Sequence, residues 1–111
     1  MRQTRKVVAL CSRVTELAIS LERLEQGHRA IEEHLVPALL MQVGYSGDLM
    51  LANPESGKML AVTLWEDEQE MHATDEAEHW FRVFGAEAVD GTVTDVETYQ
   101  VYRARLDHPL P

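Results

Sequence analysis

The sequence predicts an α+β fold in which the elements follow the order β-α-β-β-α-β and form an antiparallel sheet. Three observations support this prediction. Two apolar runs flank the turn-forming segment Asn53-Pro54-Glu55-Ser56-Gly57, which is typical of a β-hairpin. Helical periodicity precedes and follows that hairpin, and β-prone residues occur near both ends of the chain. This order is the ferredoxin-like arrangement, with both helical segments on one face of the sheet.

Composition indicates one globular domain spanning residues 1–111. The chain is 45% hydrophobic and 26% charged, and its net charge of −9 argues against a nucleic acid as partner. The N-terminal basic residues are not followed by a signal sequence, and no apolar run approaches the ~18 residues of a membrane span. A single cysteine, Cys11, cannot form an intrachain disulfide. We therefore expect a cytoplasmic protein without a membrane partner, with Cys11 as a small buried side chain.

The first strand is predicted within residues 7–18, after a loose basic arm at residues 1–6. Ser20 is a candidate N-cap for the helix that follows. His28 interrupts the apolar stripe of this helix, either as a histidine at the edge of the core or as a ligand or catalytic group. Pro37 is expected to kink the helix or to start a new one. The predicted stripe consists of Leu21, Leu24, His28, Ile31, Leu35 and Leu39.

The hairpin at residues 44–66 carries apolar residues on both faces of its pleat. We therefore expect it in the middle of the sheet, with something packed on each side. The chain's own helices can cover one face. A second copy of the protein is the expected cover of the other, because an apolar sheet face of this size exceeds what soluble monomers usually expose.

An acidic run at residues 66–78 contains seven carboxylates and no lysine or arginine. Asp67 and Thr74 are candidate caps, which predicts a short helix, a break and a longer helix. Divalent metal binding is the alternative interpretation, but consecutive acids on a helix point in several directions and match no ligand loop. The stripe of the longer helix is Ala77, Trp80, Phe81, Phe84 and Ala88. After Gly91, residues 92–103 alternate as a strand, and residues 107–111 form a tail.

Several short segments occur in an order that resembles a known family: Pro37-Ala38-Leu39-Leu40, Gly44-Tyr45-Ser46-Gly47, Ser56-Gly57-Lys58, Leu64-Trp65-Glu66 and Glu97-Thr98-Tyr99. Together they resemble the antibiotic biosynthesis monooxygenase-like domains of the dimeric α+β barrel superfamily, over about residues 10–105. The resemblance implies a homodimer whose two sheets form a barrel, with a pocket between each sheet and its own helices.

The resemblance also implies an activity. Members of the family oxidise polycyclic phenols or quinol precursors with O₂ and without a metal or flavin, so no cofactor is expected. The haem-degrading branch uses a Trp followed ten residues later by a His. Thr74 and Phe84 stand at the comparable positions here, which argues against haem degradation.

A cofactor-free oxygenase requires a base, a group that stabilises an anion, and an apolar aromatic wall. His79 and His72 are the candidate bases, because seven residues place them on one side of an uninterrupted helix, although a break near Thr74 would disrupt this relation. Arg82 and Arg13 are the candidate anion-stabilising groups. The candidate substrate-pocket residues are Trp65, Trp80, Tyr45, Phe81 and Arg13.

Each candidate also has a purely structural interpretation. The tryptophans and Phe81 are also typical core aromatics, His72 a surface residue among carboxylates, and Arg82 a partner in a salt bridge. No nucleophile, zinc or phosphate-loop motif occurs. Two functions therefore remain open: an oxygenase acting on an aromatic or quinol-type metabolite, and a non-catalytic dimer that binds a small apolar ligand or serves only in assembly.

Overall fold

The structure, a computed structural model, describes residues 10–105 and has the predicted β-α-β-β-α-β order. The strands are β1 (Cys11–Ala18), β2 (Tyr45–Asn53), β3 (Lys58–Trp65) and β4 (Thr92–Gln100). The helices are α1 (Leu24–Ala30), α2 (Val36–Leu40), α3 (Glu68–His72) and α4 (Asp75–Ala88). The predicted arm at residues 1–6, the start of the predicted first strand and the tail at residues 107–111 lie outside the described residues.

The four strands form one antiparallel sheet in the order β2-β3-β1-β4, which confirms the ferredoxin-like α+β fold. The expectation of a hairpin in mid-sheet is wrong for one of its strands. Because β1 pairs with the free edge of β3, only β3 gains a second neighbour, and β2 remains at the edge. β4 forms the opposite edge, and its side chains are largely exposed.

The turn between β2 and β3 follows the predicted chemistry. The Asn53 side-chain oxygen accepts hydrogen bonds from the amides of Glu55 and Ser56 at 2.9 and 3.2 Å, which closes the loop locally. Gly57 has φ of 74°, a conformation that costs a glycine little. The two strands therefore pair from Asn53 and Lys58 onward, as the hairpin prediction requires.

The first helical segment changes its winding along its length. A 3₁₀ turn at Leu21–Arg23 leads into α1, a π-helical segment at Ile31–Leu35 follows, and α2 completes it. Pro37 lies in the first turn of α2 and has no amide hydrogen to donate to the preceding turn. The wider π turn accommodates this missing backbone hydrogen bond. The predicted disturbance at Pro37 is therefore confirmed, in the form of a π segment.

The π segment also changes which residues of this segment face the core. Gly27, Ile31, Leu35 and Leu39 are buried, each four residues after the last. A regular α-helix would rotate such a series off one line, whereas the wider π turn keeps it aligned. The predicted stripe is therefore wrong at its N-terminal end: Leu21 is exposed, and His28 is exposed rather than at the edge of the core.

The second helical segment has the predicted short helix, break and longer helix. Asp67 caps α3, since its side chain accepts a hydrogen bond from the Glu70 amide at 2.8 Å. Thr74 does not cap α4 through its side chain, because its hydroxyl donates to the Met71 carbonyl at 2.7 Å. Ser20 makes no side-chain cap either. Within residues 10–105, no helix has both the length and the hydropathy needed to cross a bilayer.

The inner face of the sheet packs against the helices and forms the core. Leu17, Met59 and Phe81 are buried there with the helical stripe, while Cys11, Trp65 and Met71 form a second buried group. Burial of Cys11 confirms its predicted position. The fold's stability thus depends mainly on this one face.

The opposite face of the sheet, which we call the outer face, has no described residues packed on it and is divided in character. Leu49, Val62 and Leu64 make the β2–β3 half apolar and are only partly shielded by their neighbours. Glu16 lies opposite Asp95, and Val14 opposite Glu97, so the β1–β4 half carries acids.

Gly27 provides a test of this packing. A Cβ at position 27 would lie 2.5 Å from the Ala88 carbonyl oxygen and 2.6 Å from a Val89 methyl carbon. We expect Gly27→Ala to destabilise the protein by about 1–3 kcal/mol, because the overlap with backbone outweighs the gain of about 1 kcal/mol in helix propensity. Urea unfolding measures the change. Gly85→Ala is the matched control, since a Cβ at that position has room. Equal stability gains in the two variants would contradict the prediction.

Candidate functional site

A cavity lies between the inner face of the sheet and the helices, where the family resemblance implies a pocket. We call it the inner cavity. Its volume is about 80 Å³, and it is partly open to solvent. Every layer of the fold contributes to its apolar walls, chiefly through Leu17, Ile31, Leu35, Leu39, Met59 and Phe81. Apolar walls of this kind lower the local dielectric constant, which strengthens electrostatic interactions between the groups that line them.

Few polar side chains reach the inner cavity. Thr15 and Thr63 lie on the strands, Asp48 lies on the edge strand β2, and Glu78 and Arg82 lie one turn apart on α4. Asp48 and Thr63 are direct neighbours across β2 and β3. The Tyr45 hydroxyl donates a hydrogen bond to Asp48. One cation and two carboxylates therefore converge on a mostly apolar space, a common composition of small-molecule sites.

A buried ion cluster supports the α4 side of the cavity. Arg13 is only 4% exposed, and its guanidinium contacts Asp75 at 2.5 Å and Glu78 at 3.1 Å. It also donates a hydrogen bond to the Met71 carbonyl at 3.2 Å. Such a cluster is required because an unpaired buried charge is costly. β1 is thus fixed to the start of α4.

Glu78 is the unusual member of that cluster. Its side chain is buried, and burial raises the pKa of its carboxyl group, while the charges of Arg13 and Arg82 lower it only in part. The contact between the Arg13 Nη1 and Glu78 Oε2 atoms is an ion pair without hydrogen-bond alignment. Within residues 10–105 neither atom has another hydrogen-bond partner. Glu78 thus keeps acceptor capacity and a raised proton affinity beside the cavity.

Arg82 lines the inner cavity and is half-buried. The predicted salt bridge of Arg82 is not formed: within the described part of the chain, no carboxylate lies within 4.0 Å of its guanidinium. The group therefore has hydrogen-bond donors available for an anionic ligand. Phe81, beside it on α4, is buried and forms part of the cavity wall. These two are the predicted site residues that the fold brings to the cavity.

Three predicted pocket residues lie elsewhere. Trp65 is fully buried, and its indole nitrogen donates a hydrogen bond to the Thr63 hydroxyl at 3.0 Å. Tyr45 packs edge-on against Trp65, with ring centroids 5.9 Å apart. Trp65 belongs to the second buried group, and Tyr45 packs against both buried groups, but neither residue lines the cavity. Arg13 reaches the cavity only through its contact with Glu78.

The remaining candidates lie on exposed surfaces. Trp80 is 50% exposed and stacks on Phe84, with ring centroids 5.5 Å apart. His72 is exposed between Glu68 and Asp75, at 3.6 and 3.5 Å. His79 lies in an open groove between α4 and β4, next to Arg82. Neither histidine lines the inner cavity, because the break before α4 and their positions on the helix direct them outward.

The acidic run shows no metal site. Within residues 10–105, no three His, Cys, Asp or Glu side chains are grouped so that they hold a metal ion. The run instead supplies the Asp67 cap and the two carboxylates that pair with Arg13. This arrangement fits the interpretation of the run as a capped helix start, with Glu78 as its one buried carboxylate.

Sequence reasoning missed the cavity residues Glu78 and Asp48. Glu78 stands three residues before Phe81 and four before Arg82, so it shares their side of α4. A carboxylate on the apolar face of a helix was the available signal, hidden by the surrounding acids. Asp48 required knowledge of the β-bulge between Tyr45 and Gly47, which sets the direction of every later side chain in β2.

No protein-family model matches the chain. Two uncharacterized proteins of Mycobacterium tuberculosis, MT2634 and Rv2557, are each 29% identical over 97 residues, which is 87% of this chain. The match covers 43% of each of these proteins, so the chain spans less than half the length of these relatives.

Comparison with solved structures identifies the fold. SnoaB of Streptomyces nogalater, a cofactor-independent oxygenase, is 13% identical with a TM-score of 0.61, covering 90% of this chain and 99% of SnoaB. The "putative antibiotic biosynthesis monooxygenase" of Bordetella bronchiseptica is 11% identical with a TM-score of 0.62, covering 87% and 99%. A conserved protein of Methanosarcina mazei is 15% identical with a TM-score of 0.62, covering 83% and 92%. The chain therefore has the ferredoxin-like α+β fold of the antibiotic biosynthesis monooxygenase proteins.

Proposed function

We propose that this chain is a homodimeric, cofactor-independent oxygenase that oxidises a small phenolic or quinol-type compound in the inner cavity. One observation carries the proposal: a buried carboxylate, Glu78, and the guanidinium of Arg82, which has no carboxylate within 4.0 Å among residues 10–105, both line one apolar cavity. The fold shared with SnoaB, a cofactor-independent oxygenase, supports the same reaction class.

The proposed chemistry begins with proton transfer. Burial raises the pKa of Glu78, so its carboxylate is a stronger base than an exposed one and lies beside the cavity, where it can accept a phenolic proton. Arg82 stabilises the phenolate that forms. In this proposal Glu78 replaces His79 and His72 as the base, because neither histidine lines the cavity.

Oxidation then uses the substrate's own electrons. The phenolate gives one electron to O₂, and the resulting superoxide and substrate radical combine at a ring carbon. Glu78 returns its proton to the peroxide, and loss of that carbon's hydrogen with hydroxide releases water and leaves a quinone carbonyl. A phenol and O₂ thus yield a quinone and water, so the atoms balance without a further reductant. The apolar walls keep water away from the radical pair.

A non-catalytic dimer that binds a small apolar ligand is the second candidate. The ion pair between Glu78 and Arg13 supports this second candidate, because a nearby positive charge makes a carboxylate a weaker base. Turnover decides between the two candidates. Ligand binding without oxygen uptake would favour the binding protein.

The homodimer in the proposal rests on the outer face. Leu49, Val62 and Leu64 present apolar surface there with no described residue packed on it, and a two-fold related copy buries such a face against itself. Sheets pack face to face at about 10 Å, a distance these side chains can fill.

We expect the wild-type protein to sediment as a dimer and Leu51→Glu to sediment as a monomer, because Leu51 lies on the outer face opposite Leu60 and is 49% exposed. A charge there remains hydrated in the monomer but is buried in the dimer. Leu21→Glu is the matched control, since Leu21 is 44% exposed on the helical side. Analytical ultracentrifugation over a concentration series measures the mass. A concentration-independent monomer of the wild type would refute the dimer.

Oxygen consumption tests the reaction. With a panel of phenols, hydroquinones and anthrones, we expect wild-type turnover on at least one compound, followed with an oxygen electrode and by quinone absorbance. Glu78→Gln should lower kcat by roughly 10²–10⁴-fold and Arg82→Ala by roughly 10²–10³-fold. Glu76→Gln, an exposed carboxylate change on the same helix, is the control for folding and charge. Undiminished turnover in Glu78→Gln would remove Glu78 from the mechanism.

The raised pKa of Glu78 also predicts how stability depends on pH. Above its ordinary value of 4.5, the folded protein binds more protons at this site than the unfolded chain, so the contribution of Glu78 to stability falls as pH rises through the folded-state pKa. Glu78→Gln removes this titration. The free energy of unfolding of the wild type minus that of Glu78→Gln should therefore decrease with rising pH above about 4.5 and be level below it.

Urea unfolding of both proteins across a pH series measures this difference. Glu76 is exposed, so the difference in free energy of unfolding between the wild type and Glu76→Gln should not change with pH. A difference that increases with pH would show that the ion pair with Arg13, rather than burial, governs Glu78.

A further inference from the structure

Gly85 occupies an unexpected place in α4. It lies in the last turn and a half of the helix, lines the inner cavity, and faces Leu35 of the π segment across it. Glu78, Phe81 and Gly85 follow at steps of three and four residues, so all three present the same side of α4 to the cavity. Position 85 is thus part of the cavity wall.

The helix itself gives no reason for a glycine at position 85. Its backbone does not have a positive φ, and a Cβ built there would lie 3.8 Å from a Leu35 methyl carbon, an ordinary van der Waals distance. Gly27 is different, because a Cβ there meets backbone at 2.5 Å. Glycine within a helix is less favourable than alanine. The unfavourable residue at position 85 therefore preserves open space rather than a backbone contact.

The size of that space limits the occupant. The inner cavity measures about 80 Å³, whereas a dry engineered cavity that binds benzene measures about 150 Å³. The space is partly open, and the half-exposed Arg82 and the exposed Asp48 lie on its lining. Because the inner cavity is smaller than the one that binds benzene, we expect it to accept a single ring only with the polar substituent of the ring placed in the opening, beside these residues. A methyl group is similar in size to a water molecule, so adding one would remove a substantial part of this volume.

We propose that Gly85 sets the size limit of the inner cavity, so that the ligand is a single-ring phenol or hydroquinone and fused three-ring compounds are excluded. This inference deepens the proposed function and rests on it for the identity of the site. Its claim concerns which ligand enters, and binding alone can test it without turnover.

The test compares binding of phenol, hydroquinone and anthrone to three proteins: wild type, Gly85→Ala and Val83→Ala. Methyl resonances of Leu35 and Met59, both in the cavity wall, report on occupancy in NMR titrations. The wild type should bind phenol and hydroquinone with shifts at both methyls and should not respond to anthrone. Gly85→Ala should weaken phenol binding at least tenfold.

Thermal unfolding provides the second readout. Gly85→Ala should raise Tm by about 3–6 °C, because alanine favours the helix and the new methyl has room. Loss of binding in a more stable protein cannot result from unfolding. Val83→Ala, which also improves helix propensity on the same helix but lies on the groove side, should leave binding unchanged.

The outcomes separate this inference from the proposed function. Equal phenol binding by wild type and Gly85→Ala, binding of anthrone at the cavity methyls, or no binding of a single ring by the wild type would each overturn the role of Gly85. Binding with the expected size limit but without oxygen uptake would leave Gly85 in place and refute the oxygenase.

Discussion

The architecture of the site depends on one buried guanidinium. Arg13 lies on the inner face of β1, one of the two interior strands, where its charge is removed from water, and Asp75 and Glu78 supply the balancing charges. Because Asp75 is the first residue of α4, this pairing fixes both the position and the rotation of the helix on the sheet. Phe81, one turn after Glu78, then has to face the cavity. A buried ion cluster of this kind adds little net stability but strongly disfavours other alignments.

Hydrophobic period and turn chemistry were sufficient to predict the order of the elements. The Asn53 turn, the Asp67 cap and the break before α4 all arise from local hydrogen bonding, and local rules identify them. The exposure of His28 was not predictable in this way. It follows from the π segment, whose formation depends on how the turn before Pro37 relaxes against the sheet. The edge position of β2 likewise depends on which strand β1 pairs with, and that pairing joins segments far apart in the sequence.

The candidate site was harder to predict than the fold. Reasoning by residue type favoured histidines and tryptophans, yet His79 and Trp80 lie on the exposed side of α4 and Trp65 in a separate part of the core. Glu78 looked like one acid among seven, and only its burial against Arg13 distinguishes it. Sequence alone gives the face of a helix but not the element against which that face packs. The cavity exists because of this packing.

The divided outer face has an electrostatic consequence. Its β2–β3 half is apolar, whereas the other half carries Glu16, which pairs with Lys58 at 3.6 Å, and the acids Asp95 and Glu97, in a chain whose net charge is already −9. When a two-fold axis brings two such faces together, contact between the apolar halves favours association, and repulsion between the acidic side chains opposes it. Dissolved salt screens the repulsion over a Debye length of about 8 Å at physiological ionic strength and leaves the apolar gain intact. Self-association of this chain would therefore strengthen, rather than weaken, as ionic strength rises.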